Sequence, residues 1–460
     1  MPTEVASLVC MEYLFVLTLN YEKIAAYFVI HYKKELMQVF KFGGASIKDA
    51  DAVVNMSEIL KRFPEEKIII VVSAMGKTTN ALEEILHLTL EGLSNETAIQ
   101  NLFQYHASIV SNLFKESESN IISLLERIFE NLKIKLSEVD KSRYDESYDS
   151  IISFGEIISS SILLEFLKKE AFSISKVDAK DCIRTDESFR DALINWNITQ
   201  QTISRTIDHE LTQNQFVITQ GFLGGTAEGK TTTLGREGSD FTAAIFAYCT
   251  NADAVTIWKD VPGILNGDPK KIKDAVLYQE LSYQEAAEMT YYGASVIHPK
   301  TIKPLANAGI PMHVRSFSSP EKGGTIIHDC KVIHEIPCII IKEKQSLITF
   351  KLTDFTFITE ALIGKIFEAL NKHHIKINMM QNTAISFSIC VNDDLHRLDQ
   401  LTSELKNDFS IFYNKGLELI TIKNFDEILI NRMTTEKDIY LEQRTRKNYQ
   451  VVVKSLETRA

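Results

Sequence analysis

The chain has 460 residues and lacks the usual marks of a secreted, membrane-spanning or nucleic-acid-binding protein. Its six cysteines are scattered and none forms a C-x-x-C pair, so we predict reduced thiols that mostly fill the core of a cytoplasmic protein. No apolar run within residues 1–36 is long enough to span a bilayer. No histidine–cysteine cluster has metal-ligand spacing, so no metal site is predicted. The net charge of −11 argues against general binding to nucleic acid or to an anionic membrane.

Two common nucleotide-binding motifs lack their required context or are absent. The letters G-x-x-x-x-G-K-[ST] occur at 224–231, but a P-loop runs directly into a helix, and the predicted helix begins only at Phe241. No G-x-G-x-x-G follows any predicted strand. A P-loop and a Rossmann dinucleotide fingerprint are therefore not predicted.

The first 36 residues fit poorly with the rest. Glu12, Glu22 and Lys23 interrupt their apolar patches, and a basic region typical of a signal peptide is missing. A compact strand begins right after Met37. We predict that 1–36 is a non-native or dispensable extension from a misassigned start, the alternative being an extra helix packed on the domain.

Strands and helices alternate over residues 37–330, which predicts an α/β domain with a largely parallel sheet. Residues 67–73 are a continuous β-branched run, typical of a central strand buried on both faces. Polar loops follow predicted strands at 43–46, 74–80 and 259–263. Because open α/β sheets bind ligands at the carboxyl ends of their strands, we expect these loops to meet in one crevice.

From about residue 331 the predicted elements become shorter. A βαββαβ pattern covers 345–414, and a partial second pattern covers 331–344 together with 415–460. We predict two small α+β domains, one inserted in the other, with 338–342 as a separate first strand of the second. The alternative is a single irregular dimerisation domain.

The stretch 217–240 has the densest set of ligand-capable side chains. A buried strand at 216–218 leads into a segment rich in glycine and threonine, and 234–240 runs directly into an alanine-rich helix that we predict from Phe241. Glycines let the backbone approach a ligand, and helix N-termini favour negative charge. An anion site is predicted, with Asp240 at or near the N-cap, where it could also be purely structural. Threonines 231–233 could contact a ligand or cap turns.

Four further side chains are candidates for chemistry. Lys41 precedes Gly43 and Gly44 and could offer its charge to phosphoryl oxygens, although a surface lysine beside a turn is common. Glu156 starts a helix, where an acid either complements the helix dipole or holds a substrate ammonium group. Asp260 could orient a nucleotide or cap a turn. Arg236 suits bidentate recognition of a carboxylate.

Together these motifs resemble aspartokinase. In chain order they are KFGGAS at 41–46, SFGE at 153–156, VITQGF at 217–222, TTTLGREGSD at 231–240, WKDVPG at 258–263, EAAEM at 285–289 and GASVIHP at 293–299. The resemblance is dense over 37–330, the expected catalytic domain, and looser over 331–460, which is similar to the paired ACT domains of aspartokinases. It implies a three-layer α/β/α amino-acid-kinase fold with a mostly parallel central sheet, followed by small α+β, ACT-like regulatory domains.

The resemblance implies a monofunctional enzyme that phosphorylates the side-chain carboxylate of L-aspartate with ATP. The product, 4-phospho-L-aspartate, enters lysine, threonine and methionine synthesis. Mg²⁺ would be held mainly by the phosphates. A homodimer formed through the ACT domains and an amino-acid effector bound there are also implied, with no nucleic acid or membrane partner.

The resemblance also implies roles for matching residues. Lys41 would neutralise the transferring phosphoryl group, and Asp240 would organise the lysine and magnesium. Arg236 would bind the α-carboxylate of aspartate and Glu156 its ammonium group. Further implied contacts are Thr79 and Ser239 for the substrate, and Lys41, Gly43, Gly44, Ser73, Lys259, Asp260, Lys270 and Ser295 for the nucleotide.

The chain departs from the family pattern in both the catalytic and the ACT-like region. Many members have lysine where Ser295 stands, so its charge would have to come from Lys259 or Lys270. Residues 359–363 and 378–382 lack features of lysine-inhibited members, so the resemblance does not fix lysine as the effector.

Two other functions stay open. One is a related kinase for another small acid or a carbamate, against which Arg236, Glu156 and the ACT-like tail argue. The other is a catalytically weak amino-acid-sensing protein, against which the joint presence of Lys41, Glu156, Arg236 and Asp240 argues.

Overall fold

The computed structural model describes residues 36–115, 118–293, 297–331, 336–352 and 357–455. The predicted extension 1–36, apart from its last residue, and the candidate Ser295 lie outside these ranges. The described chain forms an eight-stranded sheet, a six-stranded sheet and a two-stranded hairpin.

The strands are β1 (Met37–Phe42), β2 (Lys67–Val72), β3 (Ile174–Val177), β4 (Phe216–Gln220), β5 (Leu223–Gly225), β6 (Thr231–Thr233), β7 (Ala254–Lys259), β8 (Glu280–Ser282), β9 (Met312–Ser316), β10 (Thr325–His328), β11 (Cys338–Lys351), β12 (Ile377–Asn382), β13 (Ser386–Asn392), β14 (Ser410–Lys423), β15 (Lys437–Arg444) and β16 (Asn448–Ser455). The α-helices of the described residues are α1 (Ala50–Leu60), α2 (Thr78–Leu90), α3 (Glu96–Phe114), α4 (Glu118–Ser137), α5 (Tyr144–Ile152), α6 (Phe154–Lys169), α7 (Ala179–Cys182), α8 (Trp196–Gln213), α9 (Gly238–Thr250), α10 (Tyr283–Tyr292), α11 (Pro299–Ala308), α12 (Glu360–Lys372), α13 (Leu395–Leu405) and α14 (Glu427–Thr434). Short 3₁₀ turns lie at Gly44–Ile47 and Lys141–Arg143.

The larger sheet has the strand order β3-β4-β2-β1-β7-β9-β10-β8. Its neighbours from β3 to β9 are all parallel, whereas β10 runs antiparallel to β9 and parallel to β8. Alternate residues of β2 belong to two separate hydrophobic clusters, Ile68 and Ile70 to one and Ile69 and Val71 to the other. Helices therefore cover both faces of the sheet, and the predicted three-layer α/β/α fold is confirmed.

The sequence of residues 81–148 predicts helices with polar breaks near 94–97, 117–120 and 141–147, and the structure has α2 to α5 there, interrupted close to those breaks. One helical stretch, Lys141–Lys169, is long and apolar enough to cross a membrane. However, 72% of its most apolar window is buried inside the protein. That burial is expected of a core helix, because its apolar surface already packs against protein.

The smaller sheet is antiparallel, with the order β12-β13-β11-β14-β16-β15. The prediction that 338–342 forms a separate strand is wrong, because it is the first part of the 14-residue strand β11. β14 likewise runs without a break across 414–415, the predicted boundary between the two patterns. Where the two patterns meet, the pairing of β11 with β14 shifts in register but continues. Lys344 and Gly416, one in each strand, adopt positive φ there, the signature of a bulge.

The two sheets are joined by backbone and side-chain contacts. The N–H of Ile339 donates to the carbonyl of Asn266 at 2.7 Å, and Lys423 forms an ion pair with Glu288 on α10. The limits of the individual domains stay predictions.

Candidate active site

The carboxyl ends of four adjacent strands, β4, β2, β1 and β7, open into one cleft of about 520 Å³. This is where an open parallel sheet is expected to bind a ligand. Of the predicted site residues, the cleft brings together Lys41, Gly44, Ser73, Thr79, Glu156, Arg236, Ser239, Asp240 and Lys259.

A buried carboxylate between two lysines forms the charged centre of the cleft. Asp240 is 2% exposed, and its Oδ1 lies 2.7 Å from the Nζ of Lys41, while its Oδ2 lies 3.4 Å from the Nζ of Lys259. Burial alone would raise the pKa of Asp240, but the charges of Lys41 and Lys259 outweigh it and hold that pKa below its ordinary value. The centre therefore carries two cations and one anion, which leaves a net positive charge directed at the cleft.

The start of α9 supplies one wall of the cleft. The helix begins at Gly238, after Glu237 in the left-handed region at φ 54°, so Asp240 lies in the first turn. Asp240 thus lies near the N-cap, as predicted, but the predicted helix start at Phe241 is wrong, because Gly238 and Ser239 already have helical geometry. A Cβ added to Gly221 would lie 2.5 Å from the Cβ of Ser239, so the end of β4 can approach the helix this closely only with glycine.

Glu156 is the second buried acid of the cleft, in the first turn of α6. Its side chain is 4% exposed, and its Oε1 accepts a hydrogen bond of 3.1 Å from the N–H of Ala74. The other oxygen, Oε2, has no hydrogen-bond partner among the described residues. Burial raises the pKa of the Glu156 carboxyl to about 8, against the hydrogen bond from Ala74 and the charge of Lys41. A cation placed at Oε2 would satisfy this oxygen and favour the ionised form.

Comparison with known protein families identifies the family to which this chain belongs. The sequence pattern of the amino acid kinase family matches residues 37–316, more than half of the chain. The chain belongs to the amino acid kinase family. The matched range includes all the strands whose ends form the cleft.

Known relatives of this amino acid kinase are aspartokinases. Lysine-sensitive aspartokinase 3 of Escherichia coli strain K12 is 28% identical over 395 residues, covering 84% of this chain and 86% of that protein. The crystal structure of E. coli aspartokinase III in complex with aspartate and ADP (R-state) matches with a TM-score of 0.78 at 26% identity, covering 91% of this chain and 96% of that one. Its complex with lysine and aspartate (T-state) matches with a TM-score of 0.74, at the same identity and coverage. The aspartokinase resemblance inferred from the motifs is confirmed.

Three further described residues of this amino acid kinase are predicted to contact the nucleotide: Gly43, Asp260 and Lys270. Gly43 and Asp260 lie beside the first cleft. Gly43 adjoins the first cleft, since a Cβ added there would lie 3.3 Å from the Nζ of Lys41. Asp260 lines a neighbouring cleft of about 390 Å³, which shares Lys259 with the first and reaches Ile339 on β11. Lys270 is exposed and lines neither cleft.

Threonines 231–233 have a structural role. It forms β6, which pairs with β5, and the Oγ1 of Thr232 lies 2.7 Å from the Oγ1 of Thr185. The N–H and hydroxyl of Thr233 donate to the buried carboxylate of Asp149, each at 2.7 Å. The N–H of Arg190 donates to the same carboxylate at 2.9 Å. Burial raises the pKa of Asp149 to about 6, although these hydrogen bonds oppose the shift.

This network places cleft residues that the motifs did not indicate. Arg190 lines the cleft of the kinase, and its guanidinium lies 4.4 Å from the ring centroid of Tyr148, another lining residue. Phe222 and Glu237 line it as well. Arg190 lies in a segment without glycine-rich or periodic patterning, so no local signal in the sequence marked it.

Proposed function

We propose that this amino acid kinase is an aspartate kinase, transferring the terminal phosphoryl group of ATP to the side-chain carboxylate of L-aspartate. One observation carries the proposal: a single cleft holds a lysine pair organised by a buried aspartate and, within electrostatic reach of Lys41, a buried glutamate oxygen without a partner. Phosphoryl transfer needs the first feature, and recognition of a free amino acid needs the second. The aspartokinase relatives support the same activity.

The ammonium and α-carboxylate groups of aspartate would each be bound by a side chain of opposite charge. Oε2 of Glu156 would accept from the substrate ammonium group, and Arg236 at the open side of the cleft would bind the α-carboxylate through two parallel hydrogen bonds. Thr79 and Ser239 line the same cleft and would contact the substrate.

The reaction asks little covalent chemistry of the protein. A carboxylate oxygen of aspartate forms the new P–O bond while the bond to the leaving ADP oxygen breaks, and no proton has to be removed from the acceptor. Lys41 and Lys259 would stabilise the charge on the transferring group, and Asp240 would hold both ammonium groups in place. Bound Mg²⁺ would supply further neutralisation of the phosphates, and the single buried carboxylate of Asp240 suits an ion held mainly by phosphates and water.

The nucleotide would extend from the lysine pair towards the neighbouring cleft. Gly43, Gly44 and Ser73 lie at the strand ends next to Lys41 and would face the phosphates. Lys259 borders both clefts and Asp260 lines the second, so they would lie along the nucleotide. Lys270 is exposed and directly follows Asp268 and Pro269, which line the second cleft, so it would contact the nucleotide from the edge of that cleft.

We also propose a cytoplasmic homodimer whose antiparallel sheets take part in assembly and effector binding. The edge strands of this sheet are β12 and β15, and each exposes large apolar side chains: Met380 is 50% exposed and Ile439 is 51% exposed. Light scattering of the wild type and of a Met380→Glu, Ile439→Glu variant tests assembly. A monomeric wild type would contradict it, and titrating lysine and threonine into the activity assay identifies the effector.

The activity is tested by trapping the acyl phosphate with hydroxylamine in reactions that contain ATP and aspartate. The wild type should form the hydroxamate, Lys41→Ala should form almost none, and Lys133→Ala, an exposed lysine on α4, should match the wild type. A wild type that forms no hydroxamate would refute the proposal.

A further inference from the structure

A group of three potential metal ligands lies at the far edge of the large sheet, away from the cleft. It consists of Glu280, His328 and Cys330, whose ligand atoms all lie within 4.8 Å of one another. No other group of three histidine, cysteine or acidic side chains in the described ranges meets this distance. Each of the three is partly exposed, so an ion could enter from solvent.

Strand geometry explains why the three side chains converge. β8 and β10 are parallel neighbours, with Ile326 paired to Glu280. Side chains two residues apart on a strand share a face, so His328 lies on the same side as Ile326 and Glu280. Cys330 follows His328 by two residues and continues that face just beyond the strand. The cluster is invisible to a search for local ligand spacing, because Glu280 and His328 are 48 residues apart.

The chemistry of the set favours a borderline-soft divalent ion. Imidazole nitrogen, thiolate sulfur and carboxylate oxygen are the ligands that zinc takes, and three protein ligands leave a fourth tetrahedral position for water. Cys330 also differs from the other described cysteines. Cys182, Cys249, Cys338 and Cys390 are buried, and burial raises the pKa of each thiol to about 12, whereas Cys330 is accessible.

A plain ion pair is the competing interpretation. The Nε2 of His328 lies 2.6 Å from the Oε1 of Glu280, which is hydrogen-bonding distance. The same pairing occurs between His373 and Glu404, with 2.8 Å between Nε2 and Oε2. The described structure places no cysteine with that second pair in a group of ligands. The two pairs therefore form a matched comparison in one protein.

We propose that Glu280, His328 and Cys330 form a binding site for a divalent transition-metal ion of the zinc type, which joins strands β8 and β10. Binding replaces the thiol proton of Cys330 and any proton shared between His328 and Glu280, so protons are released as the ion binds. The ion would act as a cross-link at the sheet edge, because β8 is held there by only three residues of pairing.

The test titrates Co²⁺ as a spectroscopic probe into the full chain, stripped of metal and kept reduced with a phosphine. The wild type should show a thiolate-to-cobalt charge-transfer band that saturates at one equivalent and disappears when zinc is added. Cys330→Ser should abolish this band. His328→Ala should weaken binding by at least about tenfold, the loss seen even when outer-shell partners of metal ligands are removed. His373→Ala should titrate as the wild type does.

Thermal unfolding gives an independent readout. Zinc should raise the midpoint of the wild type and of His373→Ala, and should leave that of Cys330→Ser unchanged. Glu280→Gln keeps the shape of the cluster while removing a charge, so it should bind zinc more weakly than the wild type. This variant replaces Cys330→Ser as the test if circular dichroism shows that Cys330→Ser is unfolded. A wild type without a thiolate band, or a Cys330→Ser variant that keeps it, would overturn the proposal and leave only the ion pair.

Discussion

Replacing Glu156 by glutamine should remove the pH dependence of aspartate binding. Burial raises the pKa of the Glu156 carboxyl to about 8, so this side chain is mostly protonated in the ligand-free enzyme at neutral pH. The substrate ammonium group needs the ionised form as its partner, since only that form offers a full negative charge. Aspartate binding should therefore tighten as pH rises towards 8.

The size of the effect follows from the ionised fraction. With a pKa of about 8, that fraction is about 3% at pH 6.5 and about 50% at pH 8. Because apparent affinity scales with the competent fraction, the Kd for aspartate should fall about 16-fold over this interval, or about 1.6 kcal/mol. For the same reason, about one proton should be released for each aspartate bound at pH 7.

Calorimetry without ATP measures both the Kd for aspartate and the number of protons released, if the titrations are repeated in buffers with different ionisation enthalpies. Glu156→Gln should bind weakly at every pH and release no proton. Glu165→Gln is the matched control, because it lies on the same helix and its carboxylate pairs with Lys168 at the surface. A wild-type Kd that is equal at pH 6.5 and 8, or a Glu156→Gln variant that keeps the wild-type slope, would refute the reasoning.

Three further substitutions test the rest of the site. Asp240→Asn should lower kcat in the hydroxamate assay by about 10²–10³-fold, because the Nζ of Lys41 loses the carboxylate oxygen 2.7 Å away; a kcat within a few-fold of wild type would contradict this. Asp149→Ala should lower the free energy of unfolding by on the order of 3 kcal/mol, because two buried donors and one part-buried donor lose their acceptor. Its urea midpoint should fall, and an unchanged midpoint would count against the network. Gly221→Ala should reduce both thermal midpoint and activity, since the added methyl would lie 2.5 Å from a side chain at the start of α9. Gly323→Ala, where a methyl meets nothing within 4 Å, should change neither, and equal behaviour of the two variants would show that the close approach is unimportant.

Much of the catalytic fold could be predicted because its signals are local. The β-branched run of β2 identifies a strand buried on both faces, and the polar breaks between 81 and 148 separate four helices. The strand ends then place Lys41 and Lys259 at one edge of the sheet. A strand buried on both faces, and the loop at its carboxyl end, can be recognised without knowing which other elements pack against them.

What could not be predicted depends on partners distant in the chain. Arg190 reaches the cleft only because Asp149, on another element, accepts its N–H. The continuity of β11 depends on β14 pairing with it across the polar residues near Lys344, and the sequence alone cannot distinguish a bulge from a turn there. The start of α9 was predicted three residues too late because glycine is a poor helix former, and contacts of the folded chain override that preference.

The two long strands of the smaller sheet give its two halves a common backbone. β11 pairs with β14 through Cys338–Lys342 in one half and through Gln345–Lys351 in the other, so both halves are built on the same pair of strands. Only the first of these halves also uses β16 and β15, since β16 pairs with Glu418–Lys423 of β14 and β15 with β16. A gene truncated just after Lys423 should therefore keep all four strands of the second half, whereas one truncated before Ser410 removes β14 from both halves together.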